Sequence, residues 1–258
     1  MERRQPAELD EVQRRERAYH DAIADALDPP SMPPSEPDEY EWLLLDELGP
    51  LSGARVVELG CGAGDLTFHL LERGARVTAV DISTSMARVA RARLELFRPG
   101  AEFQVLQAPV EATGLLDASA DLVVGKWILH HVDTARAADE IARVLRPGGS
   151  GLFLEHQGLN PLLTFARERL AGRFGIPRFG TPDEHPLTEH DFEAIASRFS
   201  SLALDYPVFE FAGMVNRQIL RDRYARPARA LAAVDRLVWR RAPRLRRYSF
   251  SVVVHVTK

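Results

Sequence analysis

The 258-residue sequence predicts an α/β fold of the doubly wound type, with helices packed around a parallel sheet. Two observations carry this prediction. Short runs of apolar, β-branched residues alternate with stretches of helical periodicity, and the first of these runs ends in a cluster of glycines. The composition, 45% hydrophobic and 27% charged, is ordinary for a globular protein. No apolar run approaches the length of about 18–20 residues that spans a bilayer.

The first 48 residues predict helices on either side of a proline-rich connector. Residues 1–28 are rich in Arg and Glu and predict one or two amphipathic helices. Five prolines between residues 29 and 37 exclude a helix in the connector. Residues 40–48 predict a short helix, which ends at Gly49-Pro50.

Strands and helices alternate through the next hundred residues, which indicates right-handed βαβ units and therefore a parallel sheet. Pro147-Gly148-Gly149 is expected to stop the last helix of this series before its final strand. The predicted strands are 55–59, 76–80, 102–106, 121–125 and 151–155, and the predicted helices are 65–73, 86–97 and 134–145.

This alternation breaks at residues 157–187, which contain a helix and a loop rich in Gly and Pro. Asn160 is placed as the N-cap of that helix, with Pro161 in its first turn. Thr188 and Asp191 then have the spacing of a capping box, which predicts a helix to about residue 199. Late strands are predicted over 203–211 and 250–257.

A glycine loop follows the first strand, and an acidic residue ends the second. The loop has the pattern E-x-G-x-G-x-G from Glu58 to Gly64, and it opens a helix whose free N–H groups face a ligand. In a doubly wound sheet Asp81 lies beside this loop and can accept hydrogen bonds from both hydroxyls of a ribose. The pattern differs from the G-x-G-x-x-G of dinucleotide sites. A carboxylate at Glu58 would repel a pyrophosphate but suits an ammonium or sulfonium group.

The sequence resembles the class I S-adenosylmethionine-dependent methyltransferases over roughly residues 40–156. The motifs that carry the resemblance are VVELGCGAG (56–64), VTAVDIS (77–83), FQVLQAPVE (103–111), ADLVVGKWILHHV (120–132) and LRPGG (145–149). The resemblance implies a Rossmann-like, seven-stranded, mostly parallel sheet with an antiparallel last strand. It also implies a helical N-terminal lid (1–48) on a methyltransferase domain (49–258), with a helical insert after strand five.

The same resemblance implies S-adenosyl-L-methionine as the cofactor and assigns residues to it. In the family the glycine loop faces the methionine part, the acid matching Asp81 holds the ribose, and residues matching Gln107 and Ala108 flank the adenine. Gln107 departs from the Asp that is common at this position, although its amide can still accept from and donate to an adenine edge. The expected cofactor-binding residues are Tyr19, Glu58, Gly60, Cys61, Gly62, Gly64, Asp81, Ile82, Met86, Gln107, Ala108, Pro109 and Lys126.

The acceptor is expected above the carboxyl ends of strands four and five. Methyl transfer from a sulfonium is an in-line displacement, so the protein mainly has to align the acceptor and exclude water. His131 or His130 is a candidate base for a hydroxyl acceptor, and the alternative is that both only build the wall of the pocket. No His/Cys/Asp cluster has metal-ligand spacing, so no metal is expected. The expected pocket residues are Trp127, His130, His131, Glu155 and His156.

Two further segments bear on the acceptor and on partners. Apolar residues in the insert (157–187) suggest a small, lipophilic acceptor, such as a natural product, a quinone or a lipid-like molecule. Residues 217–247 carry eleven Arg against two Asp. This Arg-rich segment predicts either a solvated helix face or peripheral contact with an anionic membrane or a carrier protein, and nucleic acid is the less favoured partner.

The sequence therefore predicts a methyltransferase with a small-molecule acceptor. The alternatives are an RNA or protein methyltransferase that docks through residues 217–247, and a cofactor-binding member of the fold without methyl transfer. The single cysteine, Cys61, excludes an internal disulfide and fits a reducing compartment, so a cytoplasmic monomer or homodimer is expected. The acceptor atom (O, N or C) stays open.

Overall fold

The computed structural model describes residues 8–27, 32–170, 172, 173, 181, 183–215 and 225–258. These residues form one seven-stranded sheet with helices around it. The strands are β1 (Arg55–Leu59), β2 (Arg76–Asp81), β3 (Phe103–Gln107), β4 (Ala120–Lys126), β5 (Leu145–His156), β6 (Ser201–Asp205) and β7 (Ser251–Thr257).

The strand order is β3-β2-β1-β4-β5-β7-β6. The first five strands are parallel, and β7 runs antiparallel between β5 and β6. This arrangement confirms the predicted doubly wound, mostly parallel sheet. The order reverses between β1 and β4, and at such a switch point the loops diverge and leave a crevice outside the carboxyl ends of the strands.

Helices precede the sheet, connect its strands and cross its faces. Asp10 caps the first of them with a reciprocal capping box, and within residues 8–27, the described part of the predicted N-terminal helical segment, one helix forms. The helices are α1 (Glu11–Asp25), α2 (Glu39–Leu48), α3 (Asp65–Glu72), α4 (Thr84–Phe97), α5 (Thr134–Val144), α6 (Pro161–Arg169), α7 (Glu189–Ala196), α8 (Ala212–Val215) and α9 (Ala225–Arg241).

Two hydrophobic clusters form the core, and successive residues of one strand belong to different clusters. Val57 and Leu59 of β1 pack in the first cluster, whereas Val56 packs in the second. The same alternation holds for Val80 and Val77 of β2. Because strand side chains point alternately to the two faces, both faces of the sheet are covered, as a parallel sheet requires.

Two predicted boundaries are wrong. β5 begins at Leu145 rather than 151, because the Pro-Gly-Gly stretch stays in the strand through a register shift against β4. β6 ends at Asp205 rather than 211, where its pairing with β7 stops. Pro207, which has no N–H to donate to a ladder, follows directly.

The N-caps of α6 and α7 are confirmed. The Asn160 side chain accepts from the N–H groups of Leu162 and Leu163, and Thr188 and Asp191 form the predicted capping box. Among the residues described, no helix combines the length and the apolar character needed to cross a bilayer.

Candidate cofactor and acceptor site

The glycine loop is built by backbone conformations and close packing that other residues cannot supply. Gly60 has a φ of 70°, and a Cβ added to it would lie 2.8 Å from Cδ1 of Ile128. Gly64 has a φ of 86° and packs against Ala90 of α4 as it caps α3. Side chains at these positions would be both strained and crowded, so the loop requires glycine.

Asp81 connects this loop to the start of α4. Its Oδ2 accepts a hydrogen bond of 2.8 Å from the N–H of Gly62, and its Oδ1 accepts one of 2.8 Å from Ser83. Burial raises the pKa of Asp81, and the two backbone hydrogen bonds, which favour the ionised carboxylate, partly offset this rise. The predicted neighbourhood of the acid and the glycine loop is therefore present.

Hydrogen bonds also hold the N-terminal helix α1 against the start of α4, next to Asp81. Oδ1 of Asp21 accepts hydrogen bonds from the Ser83 hydroxyl at 2.6 Å and from the Ser85 N–H at 2.9 Å. These partners lie at the N-terminal end of α4, where the helix dipole favours a carboxylate. The pKa of Asp21 is lowered: burial opposes ionisation, but these hydrogen bonds and Arg17 outweigh it. The helix thus lies beside the Asp81 corner rather than apart from the domain.

Between α1 and the sheet lies a cleft of about 590 Å³, a size typical of small-molecule sites. Of the residues expected at the site, the cleft brings together Gly60, Gly62, Asp81, Ile82, Trp127 and His131. Its wall also includes Asp10, Val12, Gln13, Glu16, His20, Val110, Glu111, Ile128, Val132, Asp133, Thr134, Ala135, Arg136, Asp183, His185, His190, Asp191 and Ala194.

Glu58 and Cys61 are not among the residues that line this cleft. Glu58 is 2% exposed, and its carboxyl accepts a hydrogen bond of 2.5 Å from the Thr67 hydroxyl. Burial raises the pKa of Glu58 to about 8. Burial also raises the pKa of the Cys61 thiol. At neutral pH the Glu58 carboxyl is thus mainly protonated, and it does not present the negative charge that the sequence suggested.

The remaining cofactor candidates are not among the residues that line the cleft. Met86, Ala108 and Pro109 are buried, and Gln107 is exposed with its Nε2 donating to the Ile82 carbonyl at 3.1 Å. The Lys126 ammonium pairs with Asp38 at 3.0 Å and Glu41 at 2.7 Å, and these carboxylates raise its pKa against the opposing effect of burial. Tyr19 is exposed on α1.

The histidine and glutamate that follow β4 and end β5 form a buried pair. Nδ1 of His130 is 2.7 Å from Oε2 of Glu155, and Glu155 is fully buried. Oε1 of Glu155 accepts from the N–H groups of Ile128 and Leu129, so it shapes the turn after β4. Neither His130 nor Glu155 lines the cleft. Of the two candidate bases, only His131 faces it.

Trp127 bends the chain at the end of β4. It has a φ of 54°, a left-handed conformation that is uncommon outside glycine and is frequent at functional sites. Its N–H donates to the Leu154 carbonyl at 2.9 Å, and its ring lies 4.0 Å from that of His156 between ring centroids. His156 also stacks on Phe250 and is not part of the cleft wall.

His131 meets carboxylates that the sequence analysis did not assign to the site. Its Nδ1 is 3.2 Å from Oε2 of Glu16 and 4.0 Å from Oε2 of Glu184. Burial lowers the pKa of His131, but Glu16, Glu184 and Glu155 outweigh this effect and raise it. Burial opposes ionisation of Glu16, yet His131, His20 and Thr181 hold its pKa well below the usual range. Glu16 stands in a helix full of charged residues, so only its burial distinguishes it.

The insert and the Arg-rich segment are described in part. Leu162 and Phe165 of the insert are exposed, whereas His185 lines the cleft. Phe174, Ile176 and Phe179, which support the lipophilic acceptor, lie outside the described residues. Residues 217–224 of the Arg-rich segment also lie outside them. Over residues 229–247, the arginines are mostly exposed, and Arg246 stacks on Trp239 with its Cζ 4.1 Å from the ring centroid.

Comparisons with known proteins place residues 57–153 in a family described as a methyltransferase domain. An uncharacterized methyltransferase of Mycobacterium tuberculosis, Rv3342, is 41% identical over 150 residues, which cover 57% of this chain and 56% of that protein. A ubiquinone biosynthesis O-methyltransferase of Paracidovorax citrulli is 38% identical over 112 residues, which cover 42% of this chain and 46% of that protein. The chain thus spans about half the length of these relatives.

Solved structures support the same fold at low identity. Geranyl diphosphate C-methyltransferase from Streptomyces coelicolor A3(2), solved with Mg²⁺, geranyl diphosphate and S-adenosyl-L-homocysteine, superposes with a TM-score of 0.63 at 14% identity. The superposition covers 97% of this chain and 98% of that one, and the likeness concerns the fold alone. Residues 57–153 thus match the methyltransferase domain family, and the sheet order and the superposition show that the chain has the Rossmann-like fold of class I S-adenosylmethionine-dependent methyltransferases.

Proposed function

We propose that the protein transfers a methyl group from S-adenosyl-L-methionine to a small, lipophilic acceptor bound in the cleft beneath α1. The observation that carries the proposal is the meeting of the glycine loop, Asp81 and His131 in one cleft of about 590 Å³ at the switch point of the sheet. A cavity of this size accommodates a cofactor with part of an acceptor.

The cofactor would lie along the edge from Asp81 to Gly60. Asp81 would accept hydrogen bonds from the ribose hydroxyls, and Ile82, which also lines the cleft, would pack on the nucleoside. Gly60 and Gly62 would let the methionine part approach the backbone closely. Helix α1 would act as the lid, since Asp21 joins it to the residues directly after Asp81.

The chemistry asks little of protein side chains. A lone pair of the acceptor would attack the methyl carbon, and the carbon–sulfur bond would break with its electrons left on sulfur. The proton of a hydroxyl acceptor would then pass to a base, for which His131 is the candidate in the cleft. The donor is already activated, so alignment and water exclusion supply most of the acceleration. Trp127, Ile128 and Val132 would form an apolar wall for the acceptor, with His131 as its polar contact.

Two observations support a lipophilic small molecule as the acceptor. Apolar residues, among them Val12, Val110 and Val132, contribute to a cleft that is closed on one side by α1. Several relatives are named ubiquinone or menaquinone biosynthesis methyltransferases, and these names refer to quinone-related acceptors.

The test is to incubate the full chain with methyl-labelled S-adenosyl-L-methionine and an extract of its source organism, and to identify labelled products by mass spectrometry. We expect label in a low-molecular-mass, organic-soluble product, and less label with the Asp81→Ala variant when the cofactor concentration is limiting. Label confined to RNA or protein would contradict the proposed acceptor class. Tight cofactor binding with no labelled product from any fraction would contradict methyl transfer itself.

A further inference from the structure

Three potential metal ligands converge on the wall of the cleft. Glu16 and His20 lie one turn apart on α1, and His131 lies in the turn after β4. Oε2 of Glu16 is 3.2 Å from Nδ1 of His131 and 3.6 Å from Nε2 of His20. One donor atom from each of the three residues lies within 4.8 Å of the others, and all three residues line the cleft.

The nearest atoms of Glu16 and His131 lie within hydrogen-bonding distance, but their orientation does not allow a hydrogen bond. Within the described ranges, the buried Oε2 of Glu16 and the buried Nδ1 of His131 have no hydrogen-bond partner, although they are 3.2 Å apart. Two ligand atoms on a tetrahedral Zn²⁺, each about 2.0–2.1 Å from the ion, lie about 3.3–3.4 Å from each other. The observed spacing therefore matches two ligands that face a common ion.

The surroundings supply the charge that such an ion needs. Glu16 is 4% exposed, and its other oxygen accepts from the Thr181 hydroxyl, which orients the carboxylate. Oε2 of Glu184 lies 4.0 Å from the same Nδ1 of His131 and adds a second carboxylate beside the cluster. The buried carboxylate of Glu16 would offset part of the charge of a divalent cation, because burying a charge requires an opposite charge nearby, and Glu184 would add to it while also pairing with Arg167 at 3.5 Å.

We propose that Glu16, His20 and His131 bind one divalent transition-metal ion of the Zn²⁺ class at the wall of the cleft. Two imidazoles and one carboxylate form a ligand set that suits Zn²⁺, whereas Mg²⁺ and Ca²⁺ prefer oxygen ligands alone. Three protein ligands leave the fourth position open toward the cleft, where water or an oxygen of a bound molecule can occupy it.

The proposed site departs from the expectation that no metal is bound, which rested on spacing along the chain and stays untested. Glu16 and His20 are an i,i+4 pair on the N-terminal helix and His131 lies in the turn after β4, so no local motif contains all three ligands. The ion would also connect α1 to the end of β4. Metal binding would thereby hold the lid helix closed, independently of which molecule the cleft accepts.

The site can be tested on the metal-stripped full chain by calorimetric titration with ZnCl₂, with native mass spectrometry to count bound ions. We expect about one ion per chain, and at least about a tenfold loss of affinity in His20→Ala and in His131→Ala, since even indirect partners of metal ligands cost 10–100-fold. His190→Ala is the matched control. It removes an exposed histidine that lines the same cleft but is outside the cluster, and it should bind Zn²⁺ like the wild type.

A second measurement separates ligand loss from misfolding. His20 is only partly buried, so its truncation should leave the circular dichroism spectrum unchanged. In the wild type, Zn²⁺ should slow amide exchange in residues 11–25, and in His20→Ala it should not. Failure of the wild type to bind Zn²⁺, or unaltered affinity in both ligand variants, would overturn the proposal and leave the cluster as an ion pair. Neither result depends on methyl transfer, so the proposed function is tested separately.

Discussion

At the scale of single residues, Asp81 combines two tasks that usually fall to different side chains. Its carboxylate orders the glycine loop through Gly62 and the start of α4 through Ser83. The same carboxylate is the proposed partner of the ribose. Each carboxylate oxygen has more than one lone pair, so it can keep its backbone hydrogen bond while it accepts another from a ligand.

Two substitutions of Asp81 should therefore weaken cofactor binding to different degrees. Asp81→Asn keeps a neutral acceptor, whereas Asp81→Ala removes the acceptor for Gly62 as well. We expect the alanine variant to lose about 1–3 kcal/mol of binding free energy for S-adenosyl-L-methionine, and the asparagine variant to lose less. Calorimetric titration measures both. Equal affinity of Asp81→Ala and the wild type would remove Asp81 from the cofactor site.

Glu58 leads to a prediction about pH. Its pKa of about 8 in the folded protein exceeds its ordinary value of 4.5, because burial penalises the charge. Between these values the folded chain holds a proton that the unfolded chain releases, so the free energy of unfolding falls as pH rises. The contribution reaches at most about 1.4 kcal/mol per pH unit and ends above pH 8.

The Glu58→Gln variant should remove that contribution. Glutamine is similar in size and does not ionise, so its free energy of unfolding should fall less steeply than that of the wild type between pH 5 and pH 8. Urea denaturation at several pH values in this range measures the slope. Parallel curves for the two proteins would show that Glu58 ionises normally in the folded state.

At the scale of elements, the position of α1 decides what the cleft contains. The helix brings Gln13, Glu16 and His20 to the wall, while Asp21 fixes it to the N-terminal end of α4. The periodicity of the sequence predicts the helix, but it does not predict which part of the domain the helix packs against. The buried position of Glu16 follows from how α1 docks on the sheet, which no local pattern encodes.

Removal of the Asp21 carboxylate should release α1 without unfolding the domain. In Asp21→Ala the Ser83 hydroxyl and the Ser85 N–H lose their shared acceptor, so residues 11–25 should exchange amide hydrogens faster than in the wild type. Asp25→Ala is the control on the same helix, because Asp25 is exposed and lies 3.8 Å from the exposed Arg88. Identical amide exchange in the two variants would show that the hydrogen bonds of Asp21 do not hold α1 in place.

At the scale of the whole molecule, the sequence predicts the sheet, whereas the positions of the candidate acceptor residues depend on tertiary packing. The alternation of strands and helices and the glycine loop are local signals in the sequence. The observed strand order and the hydrogen bond between Gly62 and Asp81 agree with them. Glu155 and His130 were expected in the pocket because they lie at the carboxyl ends of neighbouring strands, but their contact joins distant segments of the chain and no local pattern predicts it. The structure instead shows them supporting the turn that presents His131.

The connector between α1 and α2 is tied to the domain by one buried cation. The Arg93 guanidinium donates to the carbonyls of Met32, Pro33 and Ala63, and it pairs with Asp65 at 2.9 Å. Arg93 keeps the pKa of Asp65 below its usual range, although burial acts in the opposite direction. These partners come from the connector, the glycine loop and α3, and Ser35 of the connector adds hydrogen bonds of its own to Asp65.

Arg93→Ala should consequently destabilise the whole chain, by about 2–3 kcal/mol, since it removes a buried guanidinium whose partly buried hydrogen bonds reach three carbonyls and one carboxylate. We expect a smaller loss of stability than for a fully buried ion pair, because the side chain of Asp65 is 28% exposed. Arg88→Ala, on the exposed side of α4, should change the free energy of unfolding by no more than about 0.5 kcal/mol. Chemical denaturation measures both variants. If Arg93→Ala is no less stable than Arg88→Ala, the connector is held by contacts other than Arg93.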